Sequence, residues 1–319
     1  MFKANRVYLY RDPFEIGAFS WSPDGKYLAS GSHKTAFGPK REMVTLTALV
    51  RVWQACTGDM VCCYTGHSAP VIALSWSPDG TRIASGGWDH TIHIWEVGTA
   101  RQLATYPCAG NVIGALAWSP DGTRILSASS TIVPMMRSPD TIQAVWEVAT
   151  GELLATYRGH TDSVSTAAWS PDGAFIASAG WDTTVQIWDA NTGKHHFTYS
   201  GHRIANGHRG LVYEVAWSPD GNDIASTNGD ELAVWQAQTG ERRLTLPLRE
   251  LSVDWSPDGK YLATTGKVGH IWDAGSGELL FSFGRAATGI DTIRWSPTGG
   301  HFAYQQAEGH VNVCQVQES

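Results

Sequence analysis

Serine, histidine and aspartate recur at fixed spacings in this sequence, and they are the residue types of a hydrolase triad. Two sets have identical offsets, and in each a tryptophan follows six residues after the aspartate. The sets are His67, Ser85, Asp89 and Trp95, and His160, Ser178, Asp182 and Trp188. A hydrolase needs one nucleophile rather than one per repeat, and the sequence contains no GxSxG elbow. A structural role is therefore the favoured interpretation.

A third set contains two candidate histidines. His208 precedes Ser226 by 18 residues, the same offset as in the first two sets, and Asp230 and Trp235 follow. On this spacing His208 belongs to the set, whereas Gly201-His202 is an extra copy and residues 201–206 are an insertion.

Other residue combinations offer little chemistry. Six aspartates lie in Pro-Asp-Gly turns and three in the repeated sets, which leaves few carboxylates for a catalytic pair. Three pairs of potential zinc ligands lack a second pair at zinc spacing: His90 and His93, His195 and His196, and Cys62 and Cys63. No P-loop, dinucleotide fingerprint or HExxH motif occurs. We expect a chain that is not an enzyme and has no metal site and no cofactor.

The elements that must position these residues follow from an internal repeat. WSPDG begins at six tryptophans and WSPTG at a seventh, 38 to 55 residues apart: Trp21, Trp76, Trp118, Trp169, Trp217, Trp255 and Trp295. Within one cycle the pattern is four short stretches of alternating apolar residues separated by Gly- and Pro-rich turns, with no helical period. Four strands repeated about every 40 residues are typical of a β-propeller blade.

The repeat resembles the WD-repeat family of β-propellers over essentially all of the chain, and its WSPDG form is similar to the bacterial branch. Gly66-His67 and Gly159-His160 match the family's GH dipeptide. Trp88-Asp89 and Trp181-Asp182 match its turn aspartate. The resemblance implies that His, Ser, Asp and Trp form a buried hydrogen-bond network. Blades one, three, six and seven lack the full set. It also implies a rigid scaffold that binds other proteins without catalysis.

The two ends of the chain predict how the ring closes. The last cycle ends after its third strand, and residues 6–10 form an unassigned strand-like segment at the start. In the family such a segment completes the last blade, which removes an exposed sheet edge. We therefore expect an all-β, seven-bladed propeller with residues 1–319 in a single domain.

Composition limits the partners. The chain has 319 residues and a net charge of −7, which argues against general binding to nucleic acid or anionic membranes. No apolar run reaches the ~18 residues of a membrane span, and the first residues lack a signal peptide's apolar core. Five cysteines without a CxxC pair favour a reduced compartment. We expect a cytoplasmic, monomeric ring with a protein or peptide partner.

Departures from the repeat predict where that partner binds. Insertions at residues 33–47, 129–143 and 201–206 all fall on one face of a propeller. We call it the loop-rich face, opposite the PDG-turn face. Met and Arg are enriched at interfaces, and Trp is common at binding hot spots. The candidate partner-binding residues are Lys40, Arg41, Met135, Met136 and Arg203 in the insertions, with Trp88 and Trp181 beside them.

Two functions remain open at this point. The leading one is a non-catalytic scaffold for protein–protein interaction through the loop-rich face. The alternative is a small-molecule or glycan sensor, or a hydrolase, that uses the central funnel. Asp254 and Arg294 bear on this choice, because each directly precedes a repeat Trp where other blades have Ser or Ala. An ion pair between neighbouring blades is favoured over a polar channel lining.

Overall fold

The fold consists entirely of β-strands in the residues that the computed structural model describes, which are 2–37, 43–108, 112–130, 141–202, 210–247, 251–285, 290–306 and 309–318. Twenty-eight strands form seven four-stranded antiparallel sheets. The first strands of successive sheets lie side by side around a central channel. These observations confirm the predicted seven-bladed propeller. In the same residues no helix is long and apolar enough to cross a membrane.

The blades are numbered in chain order, and their strands are given from the channel outwards. Blade one has β2 (Glu15–Trp21), β3 (Tyr27–Phe37), β4 (Met43–Gln54) and β5 (Met60–Tyr64). Blade two has β6 (Val71–Trp76), β7 (Arg82–Gly87), β8 (Thr91–Glu96) and β9 (Gln102–Pro107). Blade three has β10 (Val112–Trp118), β11 (Arg124–Ser130), β12 (Gln143–Glu147) and β13 (Leu153–Tyr157). Blade four has β14 (Val164–Trp169), β15 (Phe175–Gly180), β16 (Val185–Asp189) and β17 (His195–Tyr199).

The remaining blades follow the same order. Blade five has β18 (Glu214–Trp217), β19 (Asp223–Thr227), β20 (Leu232–Gln236) and β21 (Arg242–Leu246). Blade six has β22 (Ser252–Trp255), β23 (Tyr261–Thr265), β24 (Val268–Asp273) and β25 (Leu279–Arg285). Blade seven has β26 (Ile290–Trp295), β27 (His301–Gln306) and β28 (His310–Glu318), with β1 (Phe2–Arg11) as its outermost strand.

The SPDG sequence forms the turn between the first and second strands through its own side chains. In blade two the Ser77 hydroxyl donates to Asp79 Oδ1 at 2.6 Å, and the same oxygen accepts the Thr81 N–H at 2.9 Å. Gly80 has a φ of 70°, which favours glycine. Burial would raise the pKa of Asp79, but the hydrogen bonds from Ser77 and Thr81 outweigh it and lower that pKa to about 2. The turn aspartate is therefore an ionised structural group.

The hydrophobic core lies between neighbouring blades. The cluster between blades three and four, for example, joins Leu126 and Val145 of blade three to Ile176 and Trp188 of blade four. Because each interface is built from two repeats, a blade depends on its neighbours for burial.

The repeat tryptophans link the blades with hydrogen bonds. Each of five indole N–H groups donates to the carbonyl of the residue that precedes the repeat Trp in the previous blade. The pairs are Trp76 with Ser20, Trp169 with Ala117, Trp217 with Ala168, Trp255 with Ala216, and Trp21 with Arg294, all at 3.0 to 3.2 Å. The last pair joins blade one to blade seven, so these links continue across the closure of the ring.

The predicted closure by the N-terminal strand is confirmed. β1 pairs with β28 from Phe2↔Glu318 to Arg11↔His310. Near the end of β1, the Tyr10 ring stacks on Trp53 of blade one with centroids 4.2 Å apart. Each outer strand of the ring remains a sheet edge, but β28 is covered.

In the described residues, the insertion in blade one continues β3 and β4 as a paired ribbon. The two strands pair from Tyr27↔Gln54 to Phe37↔Met43, with a register shift between Lys34 and Thr35. Their neighbours stop earlier, since β2 begins opposite His33 and β5 ends opposite Val50. Residues 34–37 and 43–47 therefore extend beyond the blade on its loop-rich face.

Candidate functional site

The Ser, His and Asp sets of blades two and four are assembled as in a hydrolase triad, but inside the protein. His67 Nδ1 lies 2.7 Å from Asp89 Oδ2, and His67 Nε2 lies 2.7 Å from Ser85 Oγ. The carboxylate holds the imidazole proton on Nδ1, so Nε2 accepts the Ser85 hydroxyl proton. Ser85 Oγ also accepts the Trp95 indole N–H at 3.1 Å.

Blade four repeats this arrangement. His160 lies 2.8 Å from both Asp182 Oδ2 and Ser178 Oγ, and Trp188 donates to the same serine oxygen at 3.2 Å. Both serines are fully buried, and both imidazoles are at most 1% exposed. A substrate carbonyl has no access to either hydroxyl. These residues join the loop after the fourth strand to the second strand, the following turn and the third strand.

In blade five the structure corrects the histidine assignment. His202 Nε2 lies 2.8 Å from Ser226 Oγ, and Trp235 donates to the same oxygen at 3.0 Å. His202 therefore takes the place predicted for His208, and that prediction was wrong; His208 lies outside the described residues. The Glu231 carboxylate lies near the His202 imidazole, whose Nδ1 makes no hydrogen bond within the described residues. Its Oε1 is 3.4 Å from His202 Nδ1 and 2.8 Å from Arg242 Nη2.

A second offset in the sequence identifies the correct histidine. The tyrosine three residues before each buried histidine ends the outer strand of one blade and stacks on the third-strand Trp of the next, as Tyr64 does on Trp95 and Tyr199 on Trp235. Tyr199-Ser-Gly-His202 therefore matches Tyr64-Thr-Gly-His67. The 18-residue distance to Ser226 alone points to His208, because the extra residues of this repeat lie between His202 and Ser226.

Blade one replaces the histidine network with an ion pair. Arg51 Nη1 lies 2.6 and 2.7 Å from the two carboxylate oxygens of Asp12, and it also donates to Ser32 Oγ at 3.1 Å. The Asp12 side chain is fully buried. Burial, reinforced by the Asp12 charge, raises the pKa of Tyr10 to about 12. This pair anchors the chain between β1 and β2.

Three potential metal ligands, His67, Asp89 and His93, lie together in blade two. His93 stacks on His67 at 4.0 Å, with its nitrogens 2.7 Å from the Tyr64 hydroxyl and 3.0 Å from Thr91 Oγ1. Burial and the neighbouring His67 lower the pKa of His93 to about 4. All four imidazole nitrogens already have partners, and these hydrogen bonds account for the cluster without an ion.

Two of the predicted partner-binding residues lie in the described part of the chain. Trp88 and Trp181 are half-buried, directly after the second strands of blades two and four. The backbone N–H of Trp88 donates to the Pro70 carbonyl and that of Trp181 to the Ser163 carbonyl. These bonds hold both tryptophans on the loop-rich face. The Trp88 indole nitrogen is shielded and has no hydrogen-bond partner among the described residues. The others, Lys40, Arg41, Met135, Met136 and Arg203, lie outside the described residues.

Two exposed apolar residues, which no motif of the sequence marks, stand just before the first strands of blades five and six. Tyr213 and Leu251 are 38% and 43% exposed and directly precede β18 and β22. Both stand four residues before a repeat Trp, where blades one and three have Gly17 and Gly114. A comparison of that position across the seven repeats would have found them.

The central channel is a cavity of about 610 Å³ with a charged wall on one side. Arg294 of blade seven pairs with Glu214 of blade five, with Nη2 and Oε2 3.3 Å apart. Asp254 Oδ2 instead accepts a hydrogen bond from the backbone N–H of Trp295 at 2.7 Å. Arg294 therefore pairs with Glu214 two blades away and not, as the favoured interpretation predicts, with Asp254 of the neighbouring blade. Both residues line the channel, and Glu214 was missed.

Comparisons with known proteins agree with this architecture. The pattern described as "WD domain, G-beta repeat" matches residues 7–37, 58–96, 100–133, 151–189, 193–235 and 251–273, more than half of the chain. Periodic tryptophan protein 2 homolog of Dictyostelium discoideum is 26% identical over 55% of the chain and 17% of its own length. Ribosome biogenesis protein WDR12 homolog of Nematostella vectensis is 25% identical over 49% of the chain and 32% of its own.

A shorter match has higher identity. Small ribosomal subunit protein RACK1 of Caenorhabditis elegans is 39% identical over 67 residues, 21% of each chain. The chain thus aligns with no more than about a third of the length of any of these three relatives.

Proposed function

The chain belongs to the WD-repeat (WD domain, G-beta repeat) family, and from that premise we propose that it is a non-catalytic scaffold that binds a protein partner on its loop-rich face. The observation that carries the proposal is the contrast between the two ends of each blade. On the PDG-turn face the Ser and Asp side chains are bonded within their own turns. On the loop-rich face Tyr213 and Leu251 of blades five and six expose apolar surface, and Trp88 and Trp181 of blades two and four are half-buried.

Apolar and aromatic side chains of this kind favour a protein partner. A desolvated indole or phenol ring contributes a large contact area with few rotatable bonds, which makes Trp and Tyr common hot spots. The ribbon of residues 34–37 and 43–47 adds paired backbone on the same face. Two relatives have names that refer to the ribosome, so proteins of ribosomes or ribosome assembly are the first candidates.

The test is a binding measurement with matched variants. A partner captured with the intact protein is identified, purified and titrated against the wild type, Trp181→Ala and Lys194→Ala. Lys194 is exposed in the turn before β17, on the PDG-turn face. We expect Trp181→Ala to weaken binding about thirty-fold, equivalent to about 2 kcal/mol, and Lys194→Ala to leave it unchanged. Equal affinities for all three proteins, or a Tm that falls together with the affinity, would contradict this docking site.

The channel alternative is favoured by one specific observation, the charged wall formed by blades five to seven. The charged groups of the channel wall and the Trp side chains of the surrounding face are different residues, so the two functions can be tested separately by substitution.

A further inference from the structure

The side chains that face the channel differ in charge from blade to blade, as a comparison of equivalent positions in the repeats shows. Channel-facing positions come three residues and one residue before each repeat Trp. The first layer is Ala18, Ala73, Ala115, Thr166, Glu214 and Thr292, with the buried Ser252 at the same position of blade six, and the second is Ser20, Ser75, Ala117, Ala168, Ala216, Asp254 and Arg294. Blades one to three therefore contribute only small uncharged side chains. All three charged groups lie on blades five, six and seven.

Within the charged wall, the Glu214 carboxylate is held only by long hydrogen bonds. Glu214 Oε1 accepts the Thr166 hydroxyl at 3.1 Å, and its Oε2 lies 3.3 Å from both Ser252 Oγ and Arg294 Nη2. The Arg294 side chain is still 34% exposed and that of Glu214 16% exposed, which means that both face open space in the channel. Contacts of this length leave room for a further partner of the carboxylate.

The wall carries an excess of one negative charge when all three groups are ionised. Burial raises the pKa of Asp254 to about 6; Arg294 opposes this shift, and Glu214 adds to it. The single guanidinium thus has two carboxylates to neutralise in a partly desolvated channel, where an uncompensated charge is costly.

Three further features suit a cationic ligand with an apolar body. The parts of the channel wall on blades one and three are lined by Gly17, Ala18, Gly114 and Ala115, which leaves space for aliphatic groups. Tyr213 lines the same cavity and is exposed, and an aromatic ring attracts a cation over its face. Ser165 also lines the cavity, and its hydroxyl oxygen is buried without a hydrogen-bond partner among the described residues.

We propose that the central channel binds one organic cation, an ammonium or guanidinium group on a short aliphatic body, with Glu214 and Asp254 as its counter-ions. The cation comes either from a free amine or from a basic side chain of a bound protein. The site stands independently of docking on the loop-rich face, since a small probe reports on it without a partner.

The site has a defined dependence on pH. The described charged groups that face Asp254 are Arg294 and Glu214, and its carboxylate oxygens accept the N–H groups of Trp255 and Trp295. A bound cation favours ionised Asp254, so binding strengthens as pH rises from 5 to 7.

The experiment titrates n-butylguanidinium into the full chain by calorimetry, with n-butylurea as the neutral ligand of matching shape. At pH 7.5 we expect saturable binding of one guanidinium per chain, at least about tenfold tighter than butylurea and weaker at pH 5. Glu214→Gln keeps a hydrogen-bond acceptor for Thr166 and is expected to reduce the affinity about tenfold. The control, Glu278→Gln, makes the same charge change at an exposed position on the PDG-turn face and is expected to bind normally.

Wild-type protein alone decides the outcome should Glu214→Gln fail to fold, because the ligand comparison and the pH profile need no variant. The absence of saturable binding at pH 7.5, equal affinity for butylurea, or an equal loss in Glu278→Gln would overturn the proposal. An acetyl-Gly-Arg-Gly amide identifies the source of the cation. Tighter binding than butylguanidinium assigns the site to a partner's side chain, and equal or weaker binding assigns it to a free amine.

Discussion

His202 illustrates how one side chain determines the structure around it. It contacts Ser226 and Glu231 inside blade five, and its replacement leaves both without their imidazole partner. We expect His202→Ala to lower the free energy of unfolding by roughly 1–3 kcal/mol, the usual cost of unpaired buried polar groups. His208→Ala, its control, is expected to change little. Urea denaturation of the two variants tests the assignment, which fails if His208→Ala is the more damaging change.

At the residue scale, the sequence predicted what recurs and missed what occurs once. His67, Ser85 and Asp89 could be placed because blade four repeats them at the same offsets. Glu214 could not be placed as easily, because its role depends on Arg294, which lies 80 residues away on a blade that is not its neighbour. Such a pairing follows from the ring geometry rather than from spacing along the chain.

At the element scale, the N-terminal strand carries the clearest consequence. β1 covers β28 along its length, and the adjoining Asp12 and Tyr10 contact Arg51 and Trp53 of blade one. We expect deletion of residues 1–11 to lower the Tm far more than deletion of residues 317–319, because it removes ladder hydrogen bonds and exposes a sheet edge. Thermal melts followed by circular dichroism make the comparison. Equal Tm values for the two truncations would show that β1 does not close the ring.

The strands themselves were predictable because apolar alternation and SPDG turns mark them directly. The insertion at residues 33–47 was predicted only as extra length between two strands. Its pairing as far as Phe37↔Met43 depends on the register of the two strands. The spacing between repeats gives the number of extra residues but not this register.

For the whole molecule, buried and hydrogen-bonded groups predict how stability depends on pH. The pKa of His93 falls from 6.5 to about 4 through burial and the nearby His67, so stability is lost as pH drops through this range. The turn aspartates add a second loss between about pH 4 and 2, since hydrogen bonds in their turns lower their pKa despite burial, to about 2 for Asp79 and Asp121. Asp254 has the opposite effect on stability: burial raises its pKa to about 6, so its contribution to stability grows as pH falls through this value.

The net expectation is that the Tm falls below pH 6.5 and falls most steeply below pH 4, where six turn aspartates act together. These are Asp24, Asp79, Asp121, Asp172, Asp220 and Asp258. Calorimetry at pH 7, 5 and 3 checks this expectation. A Tm at pH 3 equal to that at pH 7 would mean that the turn hydrogen bonds contribute nothing measurable.

Docking on the loop-rich face is tested most directly by hydrogen exchange of the protein alone and in complex with its partner. We predict that the partner slows amide exchange around Trp88 and Trp181 and at the starts of β18 and β22, next to Tyr213 and Leu251. The SPDG turns, on the other face, should exchange equally in both samples. Slowed exchange confined to the SPDG turns would contradict the proposed docking face.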